Sequence, residues 1–75
     1  MDEYLKTMAG ISGELWKVFK AACQTMDTKV DSWWEKLSDD LDSVAKKYYG
    51  TEYEKYARDY ATILVYEVER KAKNA

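Results

Sequence analysis

The sequence contains no proline, and its three glycines stand at positions 10, 13 and 50. Proline and glycine are the residues that most often end helices and form tight turns, so the usual signals of a many-turned fold are missing. A chain of 75 residues is also too short for more than one domain. The sequence therefore predicts a single domain, residues 1–75, built from a few long helices.

The first predicted helix covers residues 2–25, where apolar side chains recur at alternating spacings of four and three. This spacing places them on one face of a helix. A second interpretation starts the helix near Gly13, with Ser12 as its cap, and leaves residues 1–10 as a separate turn. We favour the continuous helix because the apolar spacing does not break at the glycines, which would then let a neighbour approach closely. The apolar positions are Tyr4, Met8, Ile11, Leu15, Val18 and Ala22.

The second predicted helix covers residues 28–49 and has one apolar and one acidic face. Residues 25–28 form the predicted turn before it, and Asp27 or Thr28 is expected to cap it with a side-chain oxygen. Lys46 and Lys47 near its end complement the helix dipole. Its apolar positions are Val30, Trp33, Trp34, Leu37, Leu41, Val44 and Tyr48.

A repeat of 11 residues crosses the first two helices and leaves another arrangement open. Leu15, Met26, Leu37 and Tyr48 occur at this interval, and an 11-residue repeat fits one nearly straight helix. In that alternative a helix over residues 14–49 would be about 54 Å long. It would need a second copy to cover its apolar side, so this alternative is a helical dimer.

The third predicted helix covers residues 52–72 in both arrangements. Gly50 offers the left-handed conformation that commonly ends a helix, and Thr51 with Glu54 forms the Thr-x-x-Glu pattern of a capping box. The favoured fold class is all-α, a small antiparallel three-helix bundle. The inner face of the third helix carries Tyr53, Ala57, Tyr60, Ala61, Leu64 and Val68.

The side-chain inventory excludes most catalytic and metal-binding chemistry. Histidine is absent and Cys23 is the only cysteine, which removes Ser–His and Cys–His pairs, HExxH zinc sites and internal disulfides. The adjacent carboxylates of Asp39 and Asp40 point about 100° apart on a helix, so they do not form an acid–base pair. The sequence therefore predicts a protein that is not an enzyme and that uses no cofactor or metal.

Charge and hydropathy narrow the class of partner. The formal net charge is −2, and no stretch has the basic stripe of a direct nucleic-acid binder. The longest apolar run, residues 63–66, is far shorter than the roughly 20 residues of a membrane helix. A lone cysteine, and an acidic start where a secretory signal would be basic, indicate a cytoplasmic protein. The expected partner is therefore another protein.

Acidic side chains recur along the second helix and form the main candidate binding site. Residues 27–42 contain six acids and two bases. Acids four residues apart stack along a helix at intervals of about 6 Å, which resembles the spacing of phosphates along a nucleic-acid strand. An ordinary solvated helix face would give the same pattern. The candidate residues are Asp27, Asp31, Glu35, Asp39 and Asp42.

Three large apolar side chains are further candidates for contact with a partner. Trp33 and Trp34 can both pack inside a bundle, but a small core hardly needs two adjacent indoles, so Trp34 is either a core residue or an interface anchor. Tyr56 and Ile63 lie on a secondary stripe beside the core face of the third helix. That stripe is either covered within the bundle or pairs with a second copy in a homodimer.

These features predict a non-enzymatic protein-binding module. The favoured interpretation is a small acidic inhibitor that mimics nucleic acid and blocks the basic nucleic-acid-binding surface of a larger enzyme. By analogy, small, acidic and catalytically empty helical proteins are typical of phage-type inhibitors of bacterial nucleases, including anti-CRISPR proteins. The alternative is a structural helical scaffold that self-associates and has no inhibitory role. No motif in the sequence identifies a protein family.

Overall fold

A computed structural model describes residues 1–73, which form three mutually packed α-helices with no β-strand among them. Helix α1 spans Asp2–Gln24, α2 spans Asp31–Lys46 and α3 spans Glu54–Lys73. The predicted all-α three-helix bundle is confirmed. Residues 74 and 75 of the predicted domain lie outside the described part. The bundle measures 42 × 20 × 17 Å along its principal axes.

Helices α1 and α3 run in the same direction, with α2 antiparallel to both. The rings of Tyr4 and Tyr53, which stand near the starts of α1 and α3, have centroids 5.5 Å apart. Further along, the Ser12 hydroxyl of α1 is hydrogen-bonded to the Tyr56 hydroxyl of α3. Matching ends therefore lie side by side, as an up-down-up bundle with short connections requires.

The core lies between the three helices, and every buried side chain in residues 1–73 is apolar. The largest fully buried side chains are Ile11, Leu15, Leu37 and Leu41, each at most 1% exposed. On each helix most buried positions are three, four or seven apart, which is the period of one helix face. The complete core consists of Ile11, Leu15, Leu37, Leu41, Val44, Ala45, Ala57, Leu64 and Val68.

Helix α1 runs without interruption through Gly10 and Gly13, so the continuous helix is confirmed and the separate turn over residues 1–10 does not form. The expectation that these glycines let a neighbour approach closely is wrong. A Cβ atom placed at either position meets nothing within 4 Å beyond its own stretch of helix. Both glycines therefore weaken α1 without serving its packing.

Replacing Gly10 by alanine is expected to raise the free energy of unfolding by about 0.4–1 kcal/mol. Alanine restricts the unfolded chain and fits the helix without a clash. Urea unfolding followed by circular dichroism measures the change. Gly50→Ala is the matched control, because Gly50 has a φ of +83° that strains an alanine and should lower stability. Equal effects at the two positions would contradict this description of α1.

The chain leaves the helical conformation between α1 and α2, so the predicted alternative of one helix over residues 14–49 is wrong. Two indole N–H groups hold the connection. Trp33 Nε1 donates to the Ala22 carbonyl at 3.2 Å, and Trp34 Nε1 donates to the Thr28 carbonyl at 2.9 Å. In a continuous helix the Ala22 carbonyl would accept from residue 26 instead. The indole bonds therefore favour a chain that turns back along α1.

The predicted side-chain cap of α2 is also wrong. The helix begins three residues later than expected, at Asp31, which leaves Asp27 and Thr28 too far from its free N–H groups. The residue in the cap position is Val30, whose backbone is extended and which makes no side-chain cap bond. One of the N–H groups in the first turn of α2 is bonded by the backbone alone, since Trp33 N donates to the Val30 carbonyl at 3.1 Å.

The connection between α2 and α3 resembles the predicted turn, but each side chain of the predicted capping box accepts from the N–H one residue before the expected one. Gly50 has the predicted left-handed conformation. Thr51 Oγ1 accepts from Tyr53 N at 3.1 Å, and Glu54 Oε1 accepts from Gly50 N at 2.8 Å rather than from Thr51 N. Helix α2 ends three residues earlier than predicted and α3 begins two residues later, so the connection covers residues 47–53.

Candidate protein-binding surface

Four carboxylates form one exposed face along α2. Asp31, Glu35, Asp39 and Asp42 are all exposed and share the side of the helix that lies away from the core. We call these four residues the acidic face. The fifth predicted member, Asp27, is exposed in the connection before α2 and does not belong to the helical row.

The position of the acidic face follows from the period of the helix. Leu37, Leu41 and Val44 are buried against the other helices, so residues about half a turn away from them must face solvent. From Asp31 to Asp42 the row extends over about 16 Å at 1.5 Å per residue. The carboxylates are therefore displayed on a packed helix, which fixes their spacing better than a loop would.

The acidic face has little positive charge to balance it. Asp42 pairs with Lys46, with 3.2 Å between Oδ2 and Nζ. Within residues 1–73 no ion pair joins Asp31, Glu35 or Asp39 to a cationic side chain. Three successive carboxylates therefore face water and are open to a basic partner.

The two aromatic candidates, Trp34 and Tyr56, are half-buried and engaged within the bundle. The Trp34 indole bonds to the Thr28 carbonyl, and its ring meets Trp33 edge-on with centroids 5.0 Å apart. The Tyr56 hydroxyl is bonded to Ser12 of α1. Both side chains contribute to packing, and contact with a partner stays a prediction for each.

Ile63 is the most exposed of the predicted apolar candidates, at 57%. Tyr66 on the same helix is 63% exposed, and Trp16 of α1 is 48% exposed with its ring 5.3 Å from that of Phe19. Neither Tyr66 nor Trp16 is among the predicted binding residues. The available signal was helical position, because both fall outside the arc of buried residues on their helices.

Other kinds of site are not found in the described part of the chain. No group of three or more Cys, Asp or Glu side chains in residues 1–73 is arranged to hold a metal ion. None of the three helices, as far as they are described, is both long and apolar enough to cross a bilayer. The thiol of Cys23 is half-buried, and this burial raises its pKa, which disfavours the reactive thiolate.

Glu14 fastens α1 to the segment that follows α2. Its Oε2 accepts from Lys47 Nζ at 2.8 Å, and its Oε1 accepts from the Tyr48 hydroxyl at 2.8 Å. The bonds from Lys47 and then Tyr48 hold the pKa of the Glu14 carboxyl below its ordinary 4.5. The same carboxylate raises the pKa of the Tyr48 phenol above its ordinary 10.0.

This contact is expected to make stability fall at both extremes of pH. A carboxyl with a lowered folded pKa stabilises the protein above its unfolded pKa, and the stabilisation is lost as pH falls through the folded value. A phenol with a raised pKa stabilises below its unfolded value, and this is lost as pH rises through the folded pKa. Because Glu14 is partly exposed, we expect a modest effect.

The variant Glu14→Gln tests the acid side of this expectation. Its melting temperature should fall less than that of the wild type between about pH 5 and pH 3, since the lowered pKa of Glu14 no longer contributes. Tyr48→Phe is the companion variant and should lose the alkaline dependence in the same way. Melting curves that run parallel to the wild type at every pH would contradict the role given to this contact.

Comparisons with protein-family models, with curated proteins and with solved structures find no match for this chain. The fold and the surface define a small all-α bundle that displays one acidic helix face. The acidic face and the exposed apolar side chains of α1 and α3 are its candidate binding surfaces.

Proposed function

We propose that this protein is a non-catalytic inhibitor that docks its acidic face on the basic nucleic-acid-binding surface of a larger enzyme. One observation carries the proposal: Asp31, Glu35 and Asp39 are consecutive exposed carboxylates without a cationic partner in residues 1–73. In the complex these carboxylates take the positions that phosphates occupy when the enzyme binds nucleic acid. The inhibitor therefore competes with the enzyme's substrate.

Repulsion within the acidic face supports this proposal. Like charges four apart on a helix destabilise it by roughly 0.2–0.5 kcal/mol per pair, and the row contains two such pairs, Asp31 with Glu35 and Glu35 with Asp39. In a basic groove, attraction between the carboxylates and the cationic side chains of the partner offsets this repulsion. The carboxylates recur at about 6 Å along the helix, a spacing of the same order as that of successive phosphates along one nucleic-acid strand.

The charge pattern also fits a fast-binding inhibitor. Nucleic-acid channels are lined with lysine and arginine, and opposite potentials on two proteins raise the association rate toward roughly 10⁸–10⁹ M⁻¹s⁻¹ at low salt. The net charge of the whole chain is only −2, so the steering comes from the local concentration of acids on α2. An inhibitor with a high association rate can occupy a free channel before nucleic acid binds there.

The proposed setting is the cytoplasm, where nucleic-acid enzymes act on their substrates. The kind of target follows from the analogy with phage-type inhibitors of bacterial nucleases, including anti-CRISPR proteins, which are often small, acidic and helical. A bacterial lysate is therefore the place to look for the partner.

Affinity capture from a bacterial lysate tests the proposal. The wild type is used beside a reversal variant that carries Asp31→Lys, Glu35→Lys and Asp39→Lys, and retained proteins are identified by mass spectrometry. We expect a nucleic-acid enzyme on the wild type and not on the reversal variant. If the same enzyme binds both baits, or if the wild type retains no nucleic-acid enzyme, the proposal fails.

A charge-matched control distinguishes the effect of the acidic face on enzyme capture from the effect of the net charge of the protein. The control variant carries Glu3→Lys, Glu52→Lys and Glu69→Lys, three exposed positions that lie off α2. Each triple variant changes the net charge by +6, from −2 to +4. The control is expected to retain the enzyme, and its loss would mean that overall charge alone determines binding.

A second candidate function is self-association through α3, as a structural scaffold. It is favoured by the exposure of Ile63 and Tyr66, at 57% and 63%, because large exposed apolar side chains often mark contacts between proteins. Light scattering at increasing protein concentration should then give a dimer for the wild type and a monomer for Ile63→Lys. A wild type that stays monomeric at high concentration excludes this candidate, and the reversal variant serves as the control because it leaves α3 unchanged.

A further inference from the structure

A groove separates α2 from α3 beside the acidic face. Its volume is about 390 Å³, near the lower end of the range for small-molecule sites. The groove is open because Ala45 and Ala61 stand where the two helices meet, and larger side chains there would fill it. Leu41 and Val65 extend the apolar part of its lining. We call it the α2–α3 groove.

The remaining lining of the groove is polar, and its charged side chains are two carboxylates and one guanidinium. Asp39 and Asp42 of the acidic face contribute to it, together with the hydroxyl-bearing Ser38. Tyr49 also lines the groove, is 45% exposed, and has its hydroxyl 3.4 Å from Asp42 Oδ1. Aliphatic carbon, an aromatic ring and carboxylates thus share one cleft.

We propose that the α2–α3 groove binds an arginine side chain of the basic partner, an inference that rests on the proposed function and assigns the anchor contact of its interface. The methylene stem of the arginine lies against Ala61 and Val65, the partly exposed apolar residues of the lining. The guanidinium donates two parallel hydrogen bonds to the carboxylate of Asp39 and stacks on the Tyr49 ring. Lysine lacks the planar fork and gains less from such a cleft.

Arg58 is the single cation among the residues that line the groove. Its guanidinium is paired with Glu54, with 3.4 Å between Nη1 and Oε2, but its charge still opposes an incoming arginine. Arg58→Gln removes that opposition without altering the acidic wall. This variant is therefore expected to bind an arginine peptide about two- to five-fold more tightly than the wild type, which is the size of a typical exposed charge interaction.

The experiment uses an amidated triarginine peptide as the probe and a trilysine peptide of equal charge as its control. Each is titrated into the full chain labelled with ¹⁵N, and amide chemical shifts are recorded. We expect triarginine to shift residues 38–42 and 61–65 and to bind about two- to five-fold more tightly than trilysine. Equal affinities, or the absence of triarginine shifts in those two segments, overturn the inference.

Two variants of the groove make the assignment specific. Ala61→Leu fills the cleft without changing any charge and should abolish the preference for arginine over lysine. Tyr49→Leu removes the ring at an exposed position and should reduce the same preference, so the test stands even if Ala61→Leu fails to fold. The amide spectrum identifies which variants are folded, and a folded variant of either kind with an unchanged preference contradicts the inference.

The double variant Asp31→Lys with Glu35→Lys separates this inference from the proposed function. Neither position lines the groove, so the double variant should keep its preference for triarginine over trilysine while it loses the captured enzyme. If capture depends on the acidic face but Ala61→Leu holds the enzyme as tightly as the wild type, the groove inference fails alone. If the wild type prefers arginine but captures no nucleic-acid enzyme, the proposed function fails alone.

Discussion

Replacing Leu41 by alanine is expected to lower the midpoint of thermal unfolding by about 10–30 °C. Leu41 lies in the middle of α2 and is 1% exposed, so alanine leaves a cavity that neighbouring side chains fill only in part. Such a change costs about 2–5 kcal/mol, whereas a domain of this size has a total stability of roughly 4–11 kcal/mol. Far-UV circular dichroism during heating measures the shift.

Leu5→Ala is the matched control for this prediction. It is the same substitution in another helix of the bundle, but Leu5 is 55% exposed and its loss leaves no cavity. Its effect should therefore stay within about 0.5 kcal/mol. Two variants that melt at the same temperature would show that α2 does not bury the face that carries Leu41.

The second large effect is expected in binding. The reversal variant should bind the captured enzyme at least about 100-fold more weakly than the wild type, because three lysines then face a basic surface and like-charge contacts across an interface cost several kcal/mol. Association of the wild type should also slow strongly as salt rises, since exposed charges are screened within about 10 Å at 0.1 M. Surface plasmon resonance gives both rate constants.

The charge-matched control defined above decides how this result is interpreted. Its three reversed residues lie off α2, so its affinity and its salt dependence should stay within a few-fold of the wild type. A loss of binding equal to that of the reversal variant would contradict a local acidic site. An association rate of the wild type that does not change with salt would contradict steering by the acidic face.

Periodicity in the sequence predicted the three helices and most of the core. The turn at Gly50 was also predictable, because a left-handed glycine before a capping pattern is a local signal. The break between α1 and α2 had only a weak local signal, the Thr and Asp residues of positions 25–28, and the 11-residue apolar repeat passes through it without interruption. Hydrogen bonds from the Trp33 and Trp34 indoles stabilise the connection there, and such contacts depend on the fold rather than on sequence spacing.

The acidic face was predictable in part, because helical periodicity also determines which side chains face solvent. The carboxylates of α2 were expected on one face because helical spacing alone places them there, whereas Asp27 dropped out when the helix began at Asp31. The exposure of Trp16 and the groove between Ala45 and Ala61 depend on how neighbouring helices pack. Sequence spacing contains no direct information about either feature.

Competition between this protein and nucleic acid for the captured enzyme tests directly whether the acidic face occupies the nucleic-acid surface. A labelled duplex is bound to the enzyme, and unlabelled wild-type protein is added while fluorescence anisotropy is recorded. We expect the wild type to displace the duplex and the reversal variant to leave it bound. A complex in which enzyme, duplex and wild-type protein remain bound together would contradict this expectation, because the acidic face would then lie outside the nucleic-acid surface.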